Sequence, residues 1–414
     1  MTPHEWLPEF WTTIPFIGLL LSIAILPLTA PKFWHPLKNQ ALVAAFFSIP
    51  VIYLCLVHNP HLLVTGLEHY LSFVILLGAL FIVSGGICIT GDLVSTPLAN
   101  TLMLGLGAVL ANFIGTTGAS MVLIRPLLFA NHYRKHHIHI PVFFIMVVSN
   151  IGGLLTPLGD PPLFLGFLLG VPFFWTLKLY PFWLLATGIV LLVFFVIDHK
   201  AFDHETKRLQ REARSDAPVH IKGLRNLGCL GMIIAATIWT PQPWREILMV
   251  AAALISLRTT PKSYHEANGF NFYPILEVAI LFLAVFITME PALEILFLRG
   301  AEMGMTAPWQ FFWATGGFSS FLDNAPTYLT FISLGQGLGR GGAILGLPET
   351  ILAAISVGAV FFGAMTYIGN APNFMVRSIA LHRGWKMPSF FGYMAWSAGI
   401  LLPLFLLITF FFFR

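Results

Sequence analysis

The sequence predicts an all-α polytopic membrane protein of two halves with inverted topology, each half carrying five spans and one re-entrant hairpin, with broken helices at the midplane. Three observations predict it. Of 414 residues, 57% are hydrophobic and only 10% charged, whereas soluble domains are about a quarter charged. Apolar stretches of transmembrane length recur from Thr13 to Phe413, and basic residues gather in alternate loops. Four Gly-, Pro- and Asn-rich interruptions fall inside apolar segments, with similar spacing in the two halves.

About 20 apolar residues cross about 30 Å of hydrocarbon. On that length the first-half spans lie at roughly Thr13–Ala30, Ala41–Val57, Tyr70–Thr90, Ile140–Val171 and Thr176–Ile197, with a hairpin over Pro97–Ala130. The second half reads Asn226–Thr240, Glu246–Leu257, Phe272–Thr288, a hairpin over Trp309–Leu334, then Pro348–Leu381 and Ser389–Phe412. Residues 1–197 and 226–414 are thus the two repeats, joined by a polar linker, 198–225, too short for a core of its own.

Charge sets the orientation. With the N-terminus outside, 15 of the 22 Lys and Arg residues fall in inner loops, five outside, and two, Arg125 and Arg377, within membrane segments. The positive-inside rule favours this arrangement. It also makes Pro97–Ala130 a hairpin, because a full span there would send Arg134 and Lys135 outward. The expectation is a bacterial inner-membrane protein with both termini periplasmic. Met1 to Trp11 holds Glu5 and Glu9 without Lys or Arg, unlike the basic start of a cleavable signal peptide. The net charge of +4 is accounted for by these loops and does not argue for nucleic-acid binding, so no nucleic-acid partner is expected. Cys55, Cys88 and Cys229 sit singly in apolar segments, as packing residues do.

The matched interruptions carry the chemistry. Ala111-Asn112 and Asp323-Asn324 are 212 residues apart; Leu158-Gly159-Asp160-Pro161-Pro162 and Ile368-Gly369-Asn370-Ala371-Pro372 are 210 apart. Gly and Pro break the helix and leave carbonyls and amides without intrahelical partners. At membrane depth such groups survive only inside protein or along a cavity. Freed carbonyls with Asn, Thr and Ser oxygens suit a hard cation such as sodium; freed amides suit an anion. The candidate ion-binding residues are Asp160, Asp323, Asn112, Asn150, Asn324, Asn370, Asn373, Thr116, Thr117, Thr156, Ser320 and Thr327. Asp160 and Asp323 are the sharpest, because a mid-membrane carboxylate is costly unless protonated, paired or cation-bound. Capping of a half-helix is the alternative role for each. Arg125 and Arg377 are candidate anion or charge partners, or snorkelling residues. Asp92 reads as a cap for the first hairpin, and Glu277, Glu290 and Glu294 as solvated positions near span ends. His132 to His139 reads as an inner loop serving topology and lipid contact, or as a sensor of cytosolic pH, since histidine titrates near neutrality.

At these breaks the sequence resembles the ion transporter superfamily. Asp323-Asn324-Ala325-Pro326, and Asn150-Ile151-Gly152-Gly153 with Thr156-Pro157-Leu158-Gly159-Asp160, are similar to motifs of NhaD-type sodium/proton antiporters. Gly115 to Ser120 resembles sequences described as citrate carriers of the CitMHS type, and Ala111 stands where the antiporter pattern has Asp. The resemblance implies a homodimer with an elevator-like motion of the hairpin-bearing domain. The functional expectation is secondary active sodium/proton antiport through Asp160 and Asp323, with sodium as transported or coupling ion and no other cofactor. The alternative is sodium- or proton-coupled transport of citrate or another small carboxylate. No nucleophile–base pair or metal cluster points to an enzyme.

The charge asymmetry predicts that a cysteine placed at Ser215 in the 198–225 linker is inaccessible to a membrane-impermeant thiol reagent in intact cells. Ready labelling would overturn the orientation.

Overall fold

The computed structural model describes residues 6–91, 94–206 and 220–414. The predicted hairpin cap at Asp92 and most of the predicted linker lie outside the described residues. Helices α1 (Ile14–Thr29), α2 (Pro31–Trp34), α3 (Leu37–His58) and α4 (Pro60–Gly85) lead to a short strand, β1 (Cys88–Thr90). Then come α5 (Pro97–Ala130), α6 (His139–Val147), α7 (Pro161–Leu169) and α8 (Tyr180–Asp203). After β2 (His220–Lys222), the second half runs α9 (Arg225–Trp239), α10 (Trp244–Thr259), α11 (Lys262–Ala267) and α12 (Tyr273–Arg299). It ends with α13 (Pro308–Ser319), α14 (Asn324–Gly337), α15 (Glu349–Phe362), α16 (Ala371–His382) and α17 (Phe390–Phe412). Among the described residues, seven helices are long and apolar enough to cross a membrane. With exposed Leu, Ile and Phe along their outer faces, they make this a mostly helical, multi-pass membrane protein.

The 34-residue α5 is not one rod. At 1.5 Å per residue a straight helix would hold Asn100 and Asn131 about 46 Å apart, yet their buried side-chain amides donate to each other at 2.9 and 2.8 Å. The chain doubles back at Gly115, whose φ of 75° and ψ of 156° interrupt the helix. A Cβ there would sit 3.2 Å from Leu158 O, so both backbone angle and space select glycine. Gly107 lets the arms close, since a Cβ there would meet Leu123 and Val148. α13 and α14 fold together similarly, with Phe318 meeting Phe331 at 5.9 Å between ring centres.

The other two breaks lie between α6 and α7 and between α15 and α16, each entered by a 3-10 turn. Asp160 and Asn370 are extended (φ/ψ of −142°/144° and −155°/140°) immediately before the proline-containing first turns of α7 and α16, as the residues ahead of such prolines favour. The halves pack through these elements. Gly166 of α7 accommodates Tyr328 of α14 across the two halves, and within the second half Gly316 of α13 accommodates Phe362 of α15. Small residues bring backbones close where lipid provides no hydrophobic drive.

Three expectations are corrected. α4 starts at Pro60 rather than Tyr70, and its predicted end, Cys88–Thr90, is a strand paired antiparallel with His220–Lys222. α12 runs to Arg299, well beyond Thr288, because Pro291 is tolerated inside it. Glu294, expected to be solvated, is therefore only 8% exposed within this longer helix, and Glu290 packs beside Gly66 of α4. The third is the His132–His139 loop, where Arg134 and His139 are 4% and 5% exposed.

Gly115→Ala should lower stability by about 1–3 kcal/mol through backbone strain, read as a lower thermal unfolding midpoint in detergent. Gly188→Ala in α8, with nothing within 4 Å of the added Cβ, should be neutral or stabilising by up to about 1 kcal/mol. Equal midpoints for the two variants would contradict the role given to Gly115.

Candidate ion-binding site

Backbone satisfaction builds the site. In the first half Thr156 Oγ1 donates to Asn112 O at 2.5 Å, and Thr116 N donates to Gly159 O at 2.8 Å. In the second, Thr366 Oγ1 donates to Ser320 O, also at 2.5 Å. Gly153 and Gly159 approach so closely that a Cβ on Gly153 would stand 2.8 Å from Gly159 O; a Cβ on Gly369 would stand 2.7 Å from Gly363 O. A threonine hydroxyl thus ties each hairpin tip to its broken helix, while the glycine–glycine approach folds each broken helix tightly on itself. Asn112 adds a strap, accepting from Leu155 N at 2.8 Å while its own amide donates to Ala108 O.

Asp160 stands where these pieces meet and is 1% exposed. Its Oδ1 accepts from Thr116 Oγ1 at 2.9 Å and from Asn370 Nδ2 at 3.0 Å; its Oδ2 accepts from Asn324 Nδ2 at 2.5 Å. One donor comes from the first half and two from the second. Among the described residues no Lys or Arg pairs with it. Asn370 also donates to Ser149 O and to Asn150 Oδ1 at 3.2 Å. Asn150 Nδ2 donates in turn to Asn373 Oδ1 at 2.7 Å, and Asn373 Nδ2 to Gly363 O and Thr366 O. This amide chain fixes the orientation of Asn370 toward Asp160.

Asp323 occupies the matched hairpin tip. Its Oδ1 accepts from Ala325 N at 3.1 Å, which is N-cap geometry for α14, and it is half-buried. Asn324, the next residue, bridges to Asp160, and its own Oδ1 is buried without a hydrogen-bond donor. An orphaned amide oxygen beside a carboxylate suits a hard cation, which prefers oxygen ligands. A cavity of about 20 Å³ beside Asp160 is lined by Leu80, Gly115, Thr117, Leu158 and Phe164 among others, room for about one water or one bare ion.

The structure therefore brings together Asp160, Thr116, Asn324, Asn370, Asn150 and Asn373, with Thr117 on the cavity wall. Thr156, Ser320 and Thr327 lie close by with their hydroxyls donating to backbone carbonyls. Arg125 and Arg377 stand apart from the carboxylates. Arg377 lies over the rings of Tyr367 and Phe374, at 5.0 and 5.9 Å, and Arg125 faces Gly269. Cys55, Cys88 and Cys229 are free and buried, and among the described residues no three His, Cys, Asp or Glu side chains gather as a metal site.

A family model, CitMHS_2, described as "Putative citrate transport", matches residues 5–413. The chain belongs to this family. No curated protein matches it. As a CitMHS_2 member the chain is a transporter.

One polar centre of this CitMHS_2 chain escaped sequence reasoning. Asp198 of α8 is 0% exposed. It accepts from Arg134 Nη2 at 2.6 Å, His139 Nε2 at 2.7 Å and Asn100 Nδ2 at 3.0 Å. The cluster ties the base of the α5 hairpin to α6 and α8. The available signal was an Asp directly abutting an apolar run, with Arg and His flanking another span.

Asn370→Ala should destabilise the protein by about 1–3 kcal/mol, because Asp160 loses a donor and Asn150 an amide partner in a buried network. The thermal midpoint in detergent reads this, and an unchanged midpoint would show that the amide chain does not hold Asp160.

Proposed function

We propose that this chain is a secondary active transporter that exchanges sodium for protons at Asp160, assisted by Asp323. The observation that carries the proposal is a buried carboxylate held by three neutral donors from both halves of the chain, without a basic partner among the described residues. A buried ionised carboxylate without a cation is expensive. Three hydroxyl and amide donors ease that cost and leave the charge to be balanced by a proton or a metal ion. The orphaned Asn324 Oδ1 and the one-ion cavity support a small hard cation as the balancing species. Asp323, half-buried at the tip of the matched hairpin, is the second carrier.

The same reading covers the architecture. The equivalent threonine–carbonyl bonds and glycine crossings, 210 residues apart, support two inverted-topology repeats with re-entrant hairpins meeting at the bilayer midplane. The basic loops support an inner-membrane protein with periplasmic termini. A homodimer with an elevator-like motion completes the proposal.

Coupled carriage of citrate is the second reading, favoured by the family description. There the Asp160 cation would neutralise one carboxylate of the cargo, and a more open conformation than this one would be needed to admit it.

Sodium jumps on proteoliposomes containing a pH dye, with and without citrate, separate the readings. Under the exchange reading sodium alone drives sustained proton flux. Its apparent affinity rises with pH, because the deprotonated carboxylate is the metal-binding form. Asp160→Asn should reduce that flux by about tenfold or more, as removal of a charged ligand does, and Asp323→Asn should also reduce it. Sodium-dependent proton flux that requires citrate would replace exchange with the carboxylate carrier. Wild-type flux in both variants would remove the carboxylates from the mechanism.

A further inference from the structure

The buried pair Arg134–Asp198 joins separate elements of the fold. Arg245 and Glu246 form a pair of another kind, because they are neighbours in the first turn of α10. Arg245 Nε and Nη2 donate to Glu246 Oε1 at 2.9 and 2.6 Å. Adjacent residues on a helix do not face each other, so the guanidinium folds back along its own helix to reach the carboxylate. The two are 7% and 8% exposed beside Trp244 at 62%, which puts the pair at the edge of the protein. Ser72 of α4 donates to the same Glu246 oxygen at 2.8 Å and accepts from Gln242 Nε2 at 2.6 Å. The pair is therefore anchored on α4 and α10.

The guanidinium also lies on a third element. Its Cζ stands 6.0 Å from the ring centre of Phe164 and 5.5 Å from that of Phe167, one turn apart on α7. Phe164 is 1% exposed. It lines the cavity beside Asp160, together with Thr117 and with Leu76, Leu77 and Leu80 of α4. Leu76 follows Ser72 by one turn on the same face of α4. One ring, that of Phe164, thus touches both the cavity and Arg245.

This contact has a property that a salt bridge across the same gap would lack. The charge of Arg245 is balanced on its own helix, and a ring face attracts a cation without a directional hydrogen bond. Movement of α7 away from α10 therefore strands no buried charge, the cost that makes ion pairs between elements hard to open. The second oxygen of Glu246, Oε2, is buried and accepts no hydrogen bond among the described residues. The guanidinium can shift from one oxygen to the other and stay paired.

We propose that Arg245 is a positioning residue that holds Phe164 against the cavity beside Asp160 and so controls entry to it. Glu246 keeps the guanidinium paired while the ring moves away. The inference rests on the reading of that cavity as the ion's place. Its test reads access and not transport, so it can fail while sodium–proton exchange stands, and hold where exchange fails.

The test uses the full chain in neutral detergent with Thr117→Cys as a reporter on the cavity wall. A small methanethiosulfonate reagent is added, and peptide mass spectrometry follows each thiol separately. Arg245→Gln combined with Glu246→Gln leaves no buried charge unpaired. This double change should speed modification of the reporter by about tenfold, as loss of a desolvated cation–π contact does. Phe164→Ala should speed it at least as much. Adding the double change to Phe164→Ala should speed it no further, because residues that act through one another are not additive. Native Cys55 of α3, 0% exposed, should react equally slowly in every variant. The proposal is overturned if the double change or Phe164→Ala leaves the reporter rate unaltered. It is equally overturned if the double change still accelerates labelling without the Phe164 ring, or if Cys55 accelerates in parallel, which marks a loosened fold.

Discussion

A backbone interrupted at membrane depth has to find hydrogen-bond partners inside the protein, because lipid offers none. Here the partners are supplied across each break by the neighbouring one. Thr156 and Thr366 send their hydroxyls to carbonyls of the hairpin tips, and Thr116 N reaches Gly159 O. The glycine crossings follow from the same need, since each break turns back on itself tightly enough to bring its threonine to the hairpin carbonyl. Asp160 inherits its position from this stitching: its extended backbone, the proline that follows and the threonine that faces it are all parts of the repaired break.

A neutral cradle has different chemistry from a salt bridge. The Arg134–Asp198–His139 cluster closes its own charge balance and acts as a brace between the hairpin base and α8. Asp160 is solvated by dipoles, which stabilise an ionised carboxylate and leave its net charge in place. Among the described residues, the two most buried aspartates thus stand in opposite situations, one neutralised by charged partners and one held by neutral donors alone.

Much of this was legible in the sequence, for reasons that can be assigned to residues. Proline and glycine mark breaks through local backbone chemistry, so Gly115, Asp160-Pro161 and Asn370-Ala371-Pro372 were found with their spacing. Membrane burial made Asp160 conspicuous. Other features depend on tertiary contacts that no local pattern encodes. Glu290 and Glu294 lower the hydropathy of their segment, so α12 looked shorter than it is, although Glu294 is buried. Arg134 lies inside a polar, His-rich loop whose composition does not show its burial, because its partner, Asp198, is 64 residues away. The three-residue β1 was too short to show alternation. The role of Asn324 as a bridge to Asp160, rather than only a neighbour of Asp323, needed the fold.

The cradle's composition has a consequence for how the chain is assembled. Thr116 comes from the N-terminal half, Asn324 and Asn370 from the C-terminal half, and the carboxylate they surround from the N-terminal half again. Neither half alone holds a complete set of donors. During synthesis the first half therefore enters the bilayer carrying a buried acid whose stabilising amides have not yet been translated. Until α14 and α16 arrive, that acid is best accommodated by carrying a proton or by remaining in contact with water. The last steps of folding are then also the steps that create a dry environment around Asp160, so insertion order and site formation are one event.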